Sequence, residues 1–505
     1  MKILLTRQQA FDKNDISQIK AADNYTIAHE PITSIDLMER ASRAFVDYFI
    51  TLFPVSYKKI SVVGGLGDNG GDGLAIARML HALGYEIQVY IIQHSTKKSD
   101  NFHINLERLN NLIEIKSIHA KADIPDFQTD DLIIDAILGA GLSRPIEGLI
   151  KMVIEKLNES LAEIVAVDIP TGLFADSPNK ENDVIINANN TISFEYPKLA
   201  FMLPQNATFV GDWKVVKIGL HKDFIDKIET NYIYTESKDA ELLIKPRKKF
   251  ANKGNFGHAL LMAGSYGMIG AAVLSSRACL HAGVGKVSIY APRCGYEILQ
   301  ISVPEAMCID NSSKKYLENI PPLQNYQAIG IGCGIGTHAK TVEMLKELLK
   351  NIQVPLIIDA DALNIISANK KLLNHLPQGT ILTPHPKEFQ KLVDRNWTDD
   401  YEKLTILKEF VLKYQVIVCL KGAHTAIALP DGTIHFNSTG NPGMAKAGTG
   451  DVLTGVILAL LAQGYSPQQA AILGVYEHGL AGDKAASQRS MTAMIASDII
   501  DNIRF

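Results

Sequence analysis

Short apolar runs alternate along this chain with longer periodic ones, and polar residues collect where the short runs end. Ile60 to Val63, Glu86 to Ile92, Leu132 to Ile137, Ile164 to Asp168 and Trp213 to Ile218 read as buried strands. Residues 15 to 50 carry Ile16, Ile19, Ile27, Ile35, Leu37, Met38 and Phe45 at mixed spacings of three and four and read as helical, as does Leu74 to Leu83, closed by Gly84. Strand, glycine-rich turn, helix and strand make a βαβ unit, which predicts a parallel sheet with ligands at the carboxyl ends of its strands. The alternation restarts in the second half, with strands at His258–Ala263, Lys286–Tyr290, Ala328–Ile331, Pro355–Ile358, Thr380–Thr383 and Val416–Leu420. Helices are expected at Ala271–Ala282, Thr341–Leu349, Tyr401–Tyr414 and Val452–Ala462. His221 to Lys245 is charged and has no firm period, so a linker is placed near 220 to 235, between domains of residues 1–226 and 227–505.

Composition narrows the class. The chain has 505 residues, 47% hydrophobic and 21% charged, which is ordinary for a globular protein, and its length predicts two or more domains. A formal net charge of -4 gives no electrostatic case for nucleic acid or an anionic membrane. The five cysteines form no Cys-x-x-Cys pair, which argues for a reducing compartment and against structural zinc. Met1 to Arg7 is soon interrupted by charge and is no signal peptide, and no apolar run approaches a membrane span. A soluble cytoplasmic protein is expected.

The candidate chemistry lies at the strand ends. Gly64 to Gly73 interleaves Asp68, Asn69 and Asp72 with glycines and offers oxygens to a nucleotide or a cation. Asp135 and Asp168 stand at or near the ends of apolar runs, followed by Gly139 to Pro145 and by Ile169 to Gly172. An aspartate there is seldom core, because an unpaired buried charge is expensive, though it can cap a turn. Asn69, Asp135 and Thr171, aimed at one crevice, suggest a hard cation of low charge rather than zinc.

In the second half, Gly448-Thr449-Gly450 precedes Asp451 at the head of an apolar helix. Unpaired N–H groups and the helix dipole there favour a phosphate, and the carboxylate beside them can take a hydroxyl proton. Phosphoryl transfer to a hydroxyl needs both. The plainer reading is a tight turn with Asp451 as its cap. Lys421, ending a strand before glycine, suits a phosphate. His385 stands between two prolines and could be a turn residue, Asp361 reads as a helix cap, and His478 reads as a packed helix residue.

These strings resemble a known family. Asn69 to Gly73, Asp135 with Gly139 to Pro145, and Asp168 to Gly172 resemble the epimerase domain of the NAD(P)H-hydrate repair enzymes. Asn255 to His258, Gly264 to Gly270, Gly332 to Gly336, Leu382 to Glu388, Lys421 to Thr425 and Asn441 to Gly455 resemble the dehydratase domain of the same enzymes. The resemblance implies an α/β protein, with an N-terminal Rossmann-like three-layer domain followed by a ribokinase-like α/β domain. It implies that the first half interconverts the R and S forms of NADHX and NADPHX, the hydrated coenzymes. The second half would dehydrate the S form at the expense of ADP or ATP with magnesium.

By the same resemblance, Asp68, Asn69, Gly70, Gly71 and Asp72, with Gly139, Ala140, Gly141, Leu142, Ser143, Arg144 and Pro145, hold the hydrated dinucleotide. Asp168 contacts the nicotinamide, and Asn69, Asp135 and Thr171 hold potassium. In the second half, Ala272, Gly334, His385 and Asp451 face the hydrate, while Lys421, Gly422, Ala423, His424, Thr425 and Gly450 hold the adenine nucleotide. Assembly into a homo-oligomer is expected on the same ground. Asp68 stands where the family usually has asparagine, Lys387 where it commonly has glycine, and Lys446-Ala447 where it often has threonine-glycine. Two other readings stay open: a ribokinase-like kinase of a vitamin-like alcohol, and a first domain that is a non-catalytic nucleotide sensor or scaffold.

Overall fold

The computed structural model describes residues 1–3, 18–55 and 59–505. Ile16 and the start of the expected first helix lie outside them. The chain divides into two compact units: residues 2–230 with 399–401, and Met1 with 231–398 and 402–505.

Among its described residues the first unit is built on seven strands: β1 (Ile60–Gly64), β2 (Ile87–Ile92), β3 (Ile115–Ile118), β4 (Leu132–Ala136), β5 (Glu163–Val167), β6 (Asn190–Phe194) and β7 (Asp212–Val216). They run parallel in the order β3-β2-β1-β4-β5-β6-β7. β1 and β4 are buried along their whole length because apolar clusters cover both faces of the sheet. The order reverses between β1 and β4, and the loops leaving those two strands part there to open a crevice.

The helices that shape this crevice are α1 (Gln18–His29), α2 (Ser34–Leu52), α3 (Asp68–Ala82), α4 (Asp100–Leu109) and α5 (Gly148–Glu159). The stretch from 15 to 50 that reads as helical is, among the described residues, two helices. Pro31 has no N–H to continue the first, and Thr33 caps the second through Asp36 N at 3.3 Å. α3 begins six residues before the expected Leu74, so Gly70, Gly71 and Gly73 are helical. A Cβ at Gly70 would lie 2.1 Å from the Gly65 carbonyl oxygen, and one at Gly73 2.5 Å from Ala136 Cβ. Packing against the β1 turn and β4 outweighs the poor helix propensity of glycine.

The second unit has ten strands: β8 (Tyr232–Thr235), β9 (His258–Met262), β10 (Lys286–Pro292), β11 (Met307–Asn311), β12 (Ala328–Ile331), β13 (Leu356–Ile358), β14 (Ile381–Leu382), β15 (Ile417–Leu420), β16 (Ala426–Ala428) and β17 (Ile434–Asn437). Their order is β11-β10-β9-β12-β13-β14-β15-β16-β17-β8. β16 is antiparallel to both neighbours, and every other pairing is parallel. The expected linker is corrected at its far end. β8 pairs with β17 through Tyr232↔Ile434, so residues 232–235 belong to the second sheet.

Four helices carry the site of this unit: α6 (Ile269–His281), α7 (Pro386–Val393), α8 (Thr449–Ala462) and α9 (Pro467–Arg489). α8 is buried from Val452 to Ala462 and runs through the core. Gly455 lets it press on α6, because a Cβ there would stand 2.1 Å from the Ser275 carbonyl oxygen. All five cysteines are free. Among the described residues no helix is long and apolar enough to cross a membrane.

Candidate active sites

In the first unit a cavity of about 660 Å³ opens at the carboxyl ends of β1 and β4. That volume suits an organic ligand of cofactor size. Asp68, Asn69 and Asp72 line it from α3, Gly139 to Arg144 from the loop after β4, and Asp168 from the end of β5. Gly70 and Gly71 are buried behind the wall instead, Gly71 against the Met38 sulfur and Phe102. Pro145 is exposed beyond the lining. Ile19, Asp23 and Ile27 of α1 and Ser34, Leu37 and Met38 of α2 close the opposite side.

Asp168 has φ 67, a left-handed conformation that a non-glycine residue holds only when its surroundings impose it. Three donors converge on its Oδ1: Lys198 Nζ at 2.5 Å, Phe194 N at 3.0 Å and Ser193 Oγ at 3.2 Å. The Lys198 ammonium is 2% exposed and also donates to Ser193 Oγ at 2.8 Å and to the carbonyls of Tyr196 and Phe194. A buried lysine tied this fully has one rotamer, so it fixes the carboxylate it touches. The sequence reading missed both Lys198 and Asp23. Pro197-Lys198 lies three residues past β6, whose Asn-Thr-Ile-Ser-Phe sequence carries no apolar run, so little in the sequence marks the lysine.

Carboxylates crowd this cavity. Burial, together with Asp168 and Asp68, pushes Asp23 up to about 7 against the opposing pull of Lys198. Burial and the neighbouring aspartates also hold Asp72 well above the ordinary range, opposed by its Ser42 hydrogen bond. Beside the cavity, fully buried Asp135 accepts from Thr171 Oγ1 at 2.7 Å, Thr171 N at 2.8 Å and Ile137 N at 3.2 Å. Burial raises it to about 6, with those hydrogen bonds pulling the other way. Thr171 Oγ1 also meets Leu138 N at 3.0 Å and Leu138 O at 3.2 Å. Asn69 lies against Gly139, and among the described residues its buried amide nitrogen has no partner. Among the described residues no cluster of three or more His, Cys, Asp or Glu could hold a metal ion.

The second unit gathers a different set. Asp359, 2% exposed, accepts from Lys421 Nζ at 3.2 Å through Oδ1 and from Thr454 Oγ1 at 2.8 Å through Oδ2. Glu388 Oε2 lies 4.0 Å from the same ammonium. Burial works against the Lys421 charge, but Asp359 and Glu388 outweigh it and the pKa rises. A methyl group at Gly450 would stand 3.6 Å from Lys421 Nζ and 3.8 Å from Asp359 Oδ2, so the N-terminus of α8 abuts this ion pair. Gly448, at φ 91, makes the turn into the helix, where Thr449 N donates back to Lys446 O at 3.4 Å.

Asp451 sits in the first turn of α8, half-buried. Burial pushes its carboxyl up to about 6; the Cys333 thiol donates to it and lowers it, Asp359 raises it, and Lys421 lowers it. His385 caps α7, its Nδ1 accepting from Lys387 N and Glu388 N while its ring stays half exposed. Gly334 O accepts from Ser265 Oγ at 2.7 Å, and Ala272 is buried in the core beneath Gly264. In the turn after β15, Gly422 and Thr425 are linked through Thr425 Oγ1, Gly422 N donating at 3.4 Å, and His424 Nδ1 lies 3.0 Å from Asn437 O. Lys446 donates to the carbonyls of Thr492 and Met494, so it anchors a loop. His478 is packed inside α9 as its helical pattern implies; burial pushes it down to about 4, although it hydrogen-bonds the Thr449 backbone.

Two family models match the chain: "NAD(P)H-hydrate dehydratase" over residues 259–504 and "YjeF-related protein N-terminus" over residues 34–200. Similar curated proteins match nearly end to end. The bifunctional NAD(P)H-hydrate repair enzyme of Moorella thermoacetica is 36% identical over 487 residues, covering 93% of this chain and 92% of its own. Its Escherichia coli counterpart is 31% identical, covering 94% and 89%. A solved ADP/ATP-dependent NAD(P)H-hydrate dehydratase of Bacillus subtilis, crystallised with ATP and Mg2+, is 29% identical with a TM-score of 0.49, covering 55% of this chain and 97% of that one.

Proposed function

The chain belongs to the family of bifunctional NAD(P)H-hydrate repair enzymes, and from that premise we propose how its two sites divide the work and which residues carry it. The first unit exchanges the R and S forms of hydrated NADH or NADPH. The second removes water from the S form at the expense of a nucleotide.

The observation that carries the dehydratase reading is the meeting of Asp451, Lys421 and the open N-terminus of α8 at one point. The hydrate bears a hydroxyl beside the ring nitrogen, and hydroxide is a poor leaving group. Asp451 takes the hydroxyl proton as the oxygen attacks the terminal phosphorus of ADP or ATP, releasing AMP or ADP. The N–H groups of Gly448 and Gly450 and the Lys421 ammonium stabilise the charge on the moving phosphoryl. The ring nitrogen's lone pair then expels phosphate, and loss of a proton from the adjacent carbon restores NADH. Asp359 keeps Lys421 aimed, through the bond at 3.2 Å.

Magnesium fits this set. Asp359 is already engaged by Lys421 and Thr454, and Glu388 by His385 N at 2.8 Å, so the ion would rest chiefly on the nucleotide phosphates. It supplies charge neutralisation of those phosphates.

In the first unit Asp168, oriented by Lys198, is the proton-transferring group beside the nicotinamide. Potassium would be held by hard oxygens, the Asp135 carboxylate, the Thr171 hydroxyl beside it and the Asn69 amide oxygen that lies against Gly139. The test of the dehydratase reading is to supply the S hydrate with ADP or with ATP and follow NADH absorbance. The expected result is one AMP and one phosphate formed from ADP per NADH; NADH formed without nucleotide consumption overturns it.

A further inference from the structure

The cavity of the first unit holds more acid–base chemistry than one aspartate. Ile19, Asp23 and Ile27 recur at spacings of four on α1, so one face of that helix forms the cavity wall, with a carboxyl at its middle. Asp168 reaches the same space from a strand end. Its Oδ1 is saturated by Lys198, Ser193 and Phe194 N, which leaves Oδ2 for a ligand. Asp23 has no hydrogen-bond or ion-pair partner among the described residues. Charged neighbours face it from every wall: Lys20 on α1, Asp68 and Asp72 on α3, Asp168 beyond β5, and Glu195 and Lys198 beyond β6. Arg144 stands beyond β4.

We propose that Asp23 is a second catalytic residue of the epimerase site, giving a proton to the ring nitrogen of the hydrate as Asp168 takes one from its hydroxyl. The inference rests on the epimerase reading. Inversion by opening of the hemiaminal breaks the bond between the hydroxyl-bearing carbon and the ring nitrogen. The C–O bond becomes a carbonyl, the hydroxyl proton goes to Asp168, and nitrogen takes the Asp23 proton. Closure on the other face of the carbonyl reverses both transfers, and no oxidant or co-reactant enters. Such a reaction needs one acid and one base in the same enclosure. Burial and the charges of Asp168 and Asp68 push Asp23 up to about 7, so both of its forms are populated near neutral pH.

The test uses the full chain without nucleotide, so that dehydration is idle, and measures R–S exchange by chromatography from about pH 5.5 to about 8.5, less the exchange in buffer alone. Wild type should show an inflexion in kcat near pH 7. Asp23→Asn should lower kcat by about 100-fold or more, shift KM by less than about threefold and lose the inflexion, while Asp23→Glu keeps part of both. Exchange by Asp23→Asn at the wild-type kcat, or a loss confined to KM, overturns the inference and leaves the epimerase reading intact. No exchange by wild type sinks both. If Asp23→Asn does not fold, carbon-13 titration of the wild-type carboxyls decides: an Asp23 signal that titrates away from the kinetic inflexion overturns it.

Discussion

Replacing Asp451 by asparagine separates catalysis from stability, and the two effects have opposite signs. Burial and Asp359 raise the carboxyl from 3.8 to about 6. At pH 7 such a group is about nine-tenths ionised and at pH 5 about one-tenth, so wild-type dehydration should fall about tenfold between them. Asp451→Asn should abolish dehydration at every pH while nucleotide still binds. Stability runs the other way. A carboxyl that titrates higher when folded contributes stability below its unfolded pKa, and that contribution is lost as pH rises through the folded pKa. The shift of about two units is worth at most about 3 kcal/mol, and solvent at the half-buried side chain reduces it to about 1–3. The amide escapes that loss, so the variant's Tm should exceed wild type by roughly 2–8 °C above pH 7 and match it near pH 4. Thermal melts at both pH values, with NADH formation followed beside them, read out the prediction. Normal turnover by the variant refutes the catalytic role, and an equal Tm difference at both pH values refutes the electrostatic argument.

Three other changes probe the rest of the account. Lys198→Met strands the Asp168 carboxylate and should cost about 3–5 kcal/mol in thermal or denaturant melts, most of it regained when Asp168→Asn is added. Exchanging potassium for choline at constant ionic strength should slow R–S exchange, and Thr171→Val, which removes the hydroxyl beside Asp135, should make the rate indifferent to the cation. Gly455→Ala puts a methyl group 2.1 Å from the Ser275 carbonyl oxygen and should destabilise the second unit by about 1–3 kcal/mol, visible as a lowered Tm.

Much of this was legible in the sequence because parallel strands covered on both faces read as unbroken apolar runs. β1, β4 and β5, and the acids at their ends, fall within a residue or two of expectation. The reading failed where the deciding contact is distant or the residue has an ordinary alternative. β8 is four residues whose partner strand lies 202 positions away, so no local period marks it. Asp23 looks like the wet face of a helix, and Lys198 like a surface lysine; only the fold turns both into the cavity. The early start of α3 was hidden because glycine lowers helix propensity, while the reason for it, contact with Gly65 and Ala136, is tertiary.

The most direct test of two sites acting in series is to give the chain the pure R hydrate with ADP, or with ATP, and no other enzyme. Complete conversion to NAD(P)H, slowed to the exchange rate of buffer alone by Asp168→Asn and halted at an R–S mixture by Asp451→Asn, is the expected result. An R hydrate that persists while added S hydrate is consumed contradicts the account.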